Sequence, residues 1–94
     1  MTIIHIEQTV RDYDAWKVSF DSDPVDRKGS GVRRYTISRA ADNPGAVVID
    51  LELETTEQAE AMLASLRELW QGLGDVFVEA PTGRIFDVAE AKEL

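Results

Sequence analysis

The chain has 94 residues, a net charge of −8 and no cysteine, and its length fits one domain over residues 1–94. The lack of cysteine excludes disulfides, thiol nucleophiles, iron–sulfur clusters and cysteine-ligated zinc, and the lone histidine, His5, excludes a metal site built on two histidines of one chain. The acidic balance would repel a phosphate backbone or an anionic membrane surface, so neither nucleic acid nor a membrane is an expected partner.

The chain runs from Met1 straight into TIIHIEQTV, with no basic start and no small-residue cleavage site, and no apolar run approaches a membrane span. A cytoplasmic protein is the expectation. Thr2–Thr9 is β-branched and partly alternating, which predicts a strand. Asp12 follows as the cap of a helix on which Tyr13, Trp16 and Phe20 fall at i, i+3 and i+7, one face. That spacing suits a core-facing stripe and equally the apolar wall of a pocket. The helix should stop near Ser22. Pro24 opens a new turn with Asp23 as its cap, and KGSG, Lys28 to Gly31, ends that piece. Asp21, Asp23 and Asp26 lack the spacing and the later glutamate of a calcium-binding loop.

Val32–Arg39 reads as a second strand, and ADNPG, Ala41 to Gly45, as a turn. In the third strand, AVVIDLELE, Val47, Ile49, Leu51 and Leu53 alternate with Val48, Asp50, Glu52 and Glu54. Thr55 and Gln58 fit a capping box. Ala59, Met62, Leu63, Leu66, Trp70 and Leu73 then form a continuous helical stripe, which Gly72 and Gly74 end. Asp75–Ala80 is read as a short edge strand, PTG (Pro81 to Gly83) as a turn, and Arg84–Glu90 as the last main strand.

The order β-α-β-β-α-β predicts a ferredoxin-like α+β sandwich, an antiparallel sheet with both helices on one face. The uncovered face should carry Ile3, His5, Glu7, Arg34, Thr36, Val48, Asp50, Ile85 and Asp87. That set is too apolar for a solvated surface and too polar for a dry core. A chain of this length buries only roughly 60–65% of its unfolded surface, so association would help it. Both points predict a homodimer with the open faces together.

The segments V-x-D-Y-x-x-W-K after the first strand, G-V-R-R-Y on the second and L-R-E-L-W late in the second helix resemble the dimeric α+β barrel superfamily. That group includes antibiotic biosynthesis monooxygenase-like proteins and some polyketide cyclases. The resemblance spans roughly Thr2 to Glu90. It implies a homodimeric barrel with a pocket between sheet and helices in each subunit. Haem-degrading members use a histidine on the second helix, and Thr56–Leu73 has none. Quinone-forming monooxygenases have a tryptophan and a tyrosine near the pocket, parts that Trp70 and Tyr35 would take, but the asparagine expected beside them is missing from Glu57 to Trp70. What the resemblance implies is a cofactor-independent cyclase or monooxygenase-like enzyme acting on a small apolar or aromatic molecule. The alternative is a non-catalytic ligand-binding or structural homodimer. No cofactor or metal is expected.

Asp50 interrupts an apolar strand and needs a partner, from His5 or Arg34, in this chain or its mate. With His5 it would form a general-base pair, or a hydrogen-bonded pair between subunits that fixes the dimer register. Arg34 is the candidate anion stabiliser, with salt bridging as the simpler role. Tyr35 should point toward the helices and, with Trp16, Phe20 and Trp70, wall the pocket. The alternation thus sets His5 and Asp50 on one side of the sheet and the aromatics on the other.

Overall fold

The computed structural model describes residues 1–94. Four strands, β1 (Thr2–Val10), β2 (Arg34–Ala40), β3 (Asn43–Leu53) and β4 (Phe77–Asp87), form one antiparallel sheet in the order β2-β3-β1-β4. Helices α1 (Tyr13–Asp21) and α2 (Thr56–Gln71) carry the two crossovers, each passing over the strand between the pair it joins. This is the expected ferredoxin-like α+β fold. No helix is long and apolar enough to cross a membrane.

The core follows from two alternations. Ile4, Ile6 and Val10 of β1 and Val47, Ile49, Leu51 and Leu53 of β3 are buried against α2, which contributes Ala59, Met62, Leu63 and Leu66. The caps form as expected: Asp12 accepts the Ala15 N–H at 3.2 Å and Thr55 the Gln58 N–H at 3.1 Å. Only half of the capping box at α2 is made, because the Gln58 side chain lies over Gly31 and its buried Oε1 has no donor. Gly31 has φ +102 and a Cβ there would meet that amide at 2.9 Å, so both backbone and space require glycine. On α1, Lys17 donates to Asp21 at 2.6 Å, which holds its ammonium pKa above the ordinary value. That helical contact is present at neutral pH and, on the alkaline side, is lost as the pH rises through the raised lysine pKa.

The two helices sit differently. The α2 backbone approaches β4, β1 and β3, whereas α1 comes comparably close to no strand. Long side chains span the gap instead. Trp16 is buried, Tyr13 and Phe20 pack against the core, and the Arg39 guanidinium lies 3.9 Å from the centre of the Tyr13 ring. The α1–β2 connection folds back as tight turns in which Asp23 and Asp26 take left-handed φ values of 57 and 48. Asp23 accepts the Arg27 N–H at 3.0 Å, which makes it the expected cap of the Pro24 turn.

Three boundaries differ from the sequence reading. β2 starts at Arg34, with Val32 buried in the preceding loop. β3 begins at Asn43, so the turn is only Ala41–Asp42, and Pro44 and Gly45 are strand residues. β4 is one continuous strand from Phe77, preceded by a single 3-10 turn at Gly74–Val76, and it ends at Asp87. Pro81 is tolerated there because β4 is an edge strand and its register against β1 shifts twice beside it, between Glu7 and Thr9 and between Thr9 and Val10.

Gly83 in that strand answers to packing rather than to a turn. It lies opposite Ile6, beneath α2, where a Cβ would be 2.6 Å from Leu63 Cδ1 and 3.4 Å from Trp70 Cη2. Gly83→Val is therefore expected to cost about 1–3 kcal/mol through overpacking, read as a lower denaturant midpoint at unchanged slope. A neutral result would mean that α2 can lift off β4 without penalty.

The β4 register also corrects the composition of the open face. Ile85 pairs with Ile4 and Asp87 with Thr2, so both belong to the helix-covered side, where Thr2 donates to Asp87 at 3.0 Å. Arg84 and Phe86 take their places on the open face, opposite His5 and Ile3.

Candidate functional site

A cavity of about 270 Å³ lies between the helices and the sheet, at the end where α1 stands off. Its floor is Ile6 and Gln8 of β1 and Ile49 and Leu51 of β3. Trp16 and Phe20 form the α1 wall, and Leu66, Leu69 and Trp70 the α2 wall, with Leu73 just beyond the end of that helix. Pro24, Val25 and Arg27 of the α1–β2 connection edge it. Twelve of the seventeen lining residues are hydrophobic, so the space favours an apolar occupant over water. An apolar cavity of about 150 Å³ holds a benzene ring. The larger space here suits a molecule of about two fused rings.

The aromatics continue as a stack. Tyr13 and Trp16 have ring centroids 5.7 Å apart, Trp16 and Phe20 5.2 Å, and Phe20 and Tyr35 5.1 Å with their planes at 73°. Trp16, Phe20 and Trp70 stand where the sequence sets pocket walls. Tyr35 points to the helix side as expected but backs Phe20 from outside the cavity.

Gln8, Ser19, Ser22 and Arg27 are the polar residues that line the cavity, and the sequence reading gives none of them a place there. Gln8 is 5% exposed, and its amide nitrogen is buried without a hydrogen-bond partner. Arg27 donates from Nη1 to the Phe20 carbonyl at 2.8 Å, faces Asp23 at 3.4 Å through Nε, and lies 3.9 Å from the centre of the Phe20 ring. A signal for Gln8 was present: it occupies the buried phase of β1 between Ile6 and Val10, a position that should be apolar. Arg27 had none, since only the folded loop brings it to the cavity.

His5, Asp50 and Arg34 lie on the other side of the sheet. His5 and Asp50 are cross-strand partners, with Nδ1 and Oδ1 2.7 Å apart. The carboxylate offers only acceptors, so Nδ1 carries the proton. The pair forms within this one chain. His5 Nε2 is 3.7 Å from Glu7, and the ring meets Phe86 edge-on at 6.2 Å. Both members of the pair are about one-third exposed. Arg34 is engaged by Glu52 at 2.8 Å and does not reach Asp50 or the cavity. Arg33, one residue before, pairs with Glu54. The cavity therefore holds no carboxylate, histidine or lysine, and the His5–Asp50 pair has no access to it. No group of three or more histidine, aspartate or glutamate side chains converges as a metal site would.

No family model matches the chain, and no curated protein matches it. Solved structures do. A Nitrosomonas europaea protein described as a candidate antibiotic biosynthesis monooxygenase is 20% identical, with 96% of this chain and 100% of that one covered at a TM-score of 0.63. A Deinococcus radiodurans protein described in the same terms is 17% identical over 100% and 98% of the two chains at a TM-score of 0.74. A dimeric ferredoxin-like protein from an uncultured marine organism is 12% identical over the full length of both chains at a TM-score of 0.63. At these identities the likeness shows the fold: the chain has the ferredoxin-like α+β architecture of the antibiotic biosynthesis monooxygenase-like proteins.

Proposed function

We propose that the protein is a homodimer in which each chain binds a small, largely apolar or aromatic molecule in the cavity between helices and sheet. The observation that carries this reading is a largely apolar cavity whose floor includes Gln8, with an amide nitrogen buried and unpartnered within the chain. A buried donor without an acceptor costs about 1–3 kcal/mol, and a ligand oxygen that the Gln8 side chain turned to meet would recover that. Dimerisation is supported by the open face. Ile3, Val48 and Phe86 stand there among Glu7, Asp50 and Glu52 on one side of the charge balance and Arg34 and Arg84 on the other. An acidic chain thus presents one nearly balanced, partly apolar face, which a second copy can meet without strong repulsion. Native mass spectrometry of the protein as purified tests both parts: twice the chain mass plus a small adduct is expected, and an empty monomer would overturn the reading.

A second reading, a cofactor-independent cyclase or monooxygenase-like enzyme, is favoured by the carboxylate-oriented imidazole of His5 and by the descriptions of the similar structures. Because that pair faces away from the cavity, its substrate would have to enter between the two open faces. Asp50→Asn separates the readings. As a catalytic residue it leaves a dimer that binds but turns over at least about 100-fold more slowly, the usual contribution of a positioned base. As a structural residue it shifts the monomer–dimer balance and leaves binding untouched.

A further inference from the structure

The cavity has a second neighbour, a shallow depression on the outer surface lined by Asp23, Lys28, Arg33, Arg34 and Tyr35. Arg27 lines both spaces. Four of the ten basic residues of a chain with net charge −8 therefore gather around one corner, with one carboxylate among the lining groups. Arg33 and Arg34 are occupied by Glu54 and Glu52, and Lys28 makes no ion pair. Arg27 is the group at the boundary, and its side chain is 14% exposed. Of its five N–H donors, one goes to the Phe20 carbonyl and one faces Asp23. The others have no protein acceptor. The Phe20 ring 3.9 Å away and the Tyr35 ring 5.2 Å away hold the guanidinium plane against the cavity wall.

We infer that the cavity takes an aromatic acid, a flat apolar body lying between Trp16, Phe20 and Trp70 with an anionic oxygen held at the mouth by Arg27. The inference rests on the binding reading above and adds the charge of the ligand. A planar fork, restrained on one side by aromatic rings and left with free donors on the other, is suited to a carboxylate or an enolate. Partial burial keeps such a pair from being screened as a surface pair is. The overall field of the chain repels anions, so a preference for them can come only from this corner.

The test compares 1-naphthoate with 1-naphthylmethanol, matched in shape and differing in charge, by titration calorimetry with the full chain. The carboxylate is expected to bind about tenfold more tightly. Arg27→Met should remove that preference and keep the affinity for the alcohol within about twofold, since the apolar walls are untouched. Lys28→Met should leave the preference in place. If Arg27→Met disturbs the loop, Arg27→Lys serves instead, with a charge but no fork and an intermediate preference expected. Equal binding of the two probes, or a preference that survives Arg27→Met, would overturn the inference and leave the cavity reading standing. Failure of both probes to bind would overturn the two together.

Discussion

Gln8→Leu should make the empty protein more stable by about 1–2 kcal/mol, because it removes a buried amide without a partner and keeps its apolar volume. For a domain of this size each kcal/mol raises the thermal midpoint by about 4–8 °C, so a calorimetric scan resolves the change. Ordinary substitutions at a 5% exposed central-strand position lower stability, so the sign alone is informative. The same change should weaken binding of 1-naphthaldehyde, whose carbonyl can accept from the amide, by about tenfold. Binding of naphthalene, which has no acceptor, should be unchanged or stronger. A binding site kept at a cost to stability shows this opposition. A loss of stability would mean that the Gln8 amide already has a partner such as a trapped water, and the donor would not be free for a ligand.

The reason Gln8 can carry such a test lies in how β1 reads. Its buried phase runs Thr2, Ile4, Ile6, Gln8, Val10, and the strand is central, so the helices above fix which phase is inside. The β3 alternation is legible for the same reason. β4 is not. Pro81 and Gly83 are turn residues by local chemistry, and the sequence reading breaks the strand there. What keeps it whole is not local: an edge position that spares Pro81 a ladder bond, register shifts that absorb extra residues, and α2 packing so close that only glycine fits. A slip of one residue reverses the faces of a strand, which is why Ile85 and Asp87 were expected on the open side and Phe86 was not.

The site divides in the same way. Trp16, Phe20 and Trp70 are legible because helical spacing alone puts them on the inner face. The His5–Asp50 pair is legible because two central strands of known phase bring it together. Whether the aromatics enclose a filled core or a cavity is not legible, since it depends on α1 standing off the sheet. The α1–β2 turns that deliver Arg27 depend on two aspartates with positive φ, which no local pattern announces. The separation of His5 and Asp50 from the aromatics, which the strand alternation predicts, holds by plain geometry. A sheet one residue thick lies between Asp50 and the cavity, and alternate side chains on a strand cannot serve both sides.

The open face gives the second large effect. Phe86 is 42% exposed in the single chain, next to His5 and one strand from Ile3. Phe86→Glu should therefore leave the isolated chain folded, within about 0.5 kcal/mol of the parent, as surface changes usually do. In a dimer built on this face the same change removes a buried ring from each copy and leaves a carboxylate there with Arg84, which lies 5.1 Å from the ring centre, as its only cationic neighbour. Losing a buried aromatic side chain and desolvating an ion pair together cost several kcal/mol, and each 1.4 kcal/mol is about tenfold in the dissociation constant. A rise of at least about 100-fold is expected, seen by sedimentation velocity as a shift to monomer at micromolar concentration. Binding of 1-naphthylmethanol should be retained, because the cavity lies across the sheet. A dimer of unchanged strength would show that the chains associate through another surface, and Ile3, Val48 and Phe86 would then be exposed apolar groups without a partner. Loss of the dimer and of binding together would show instead that the cavity needs the second copy to hold α1 in place, and the two faces of the sheet would be coupled through its central strands.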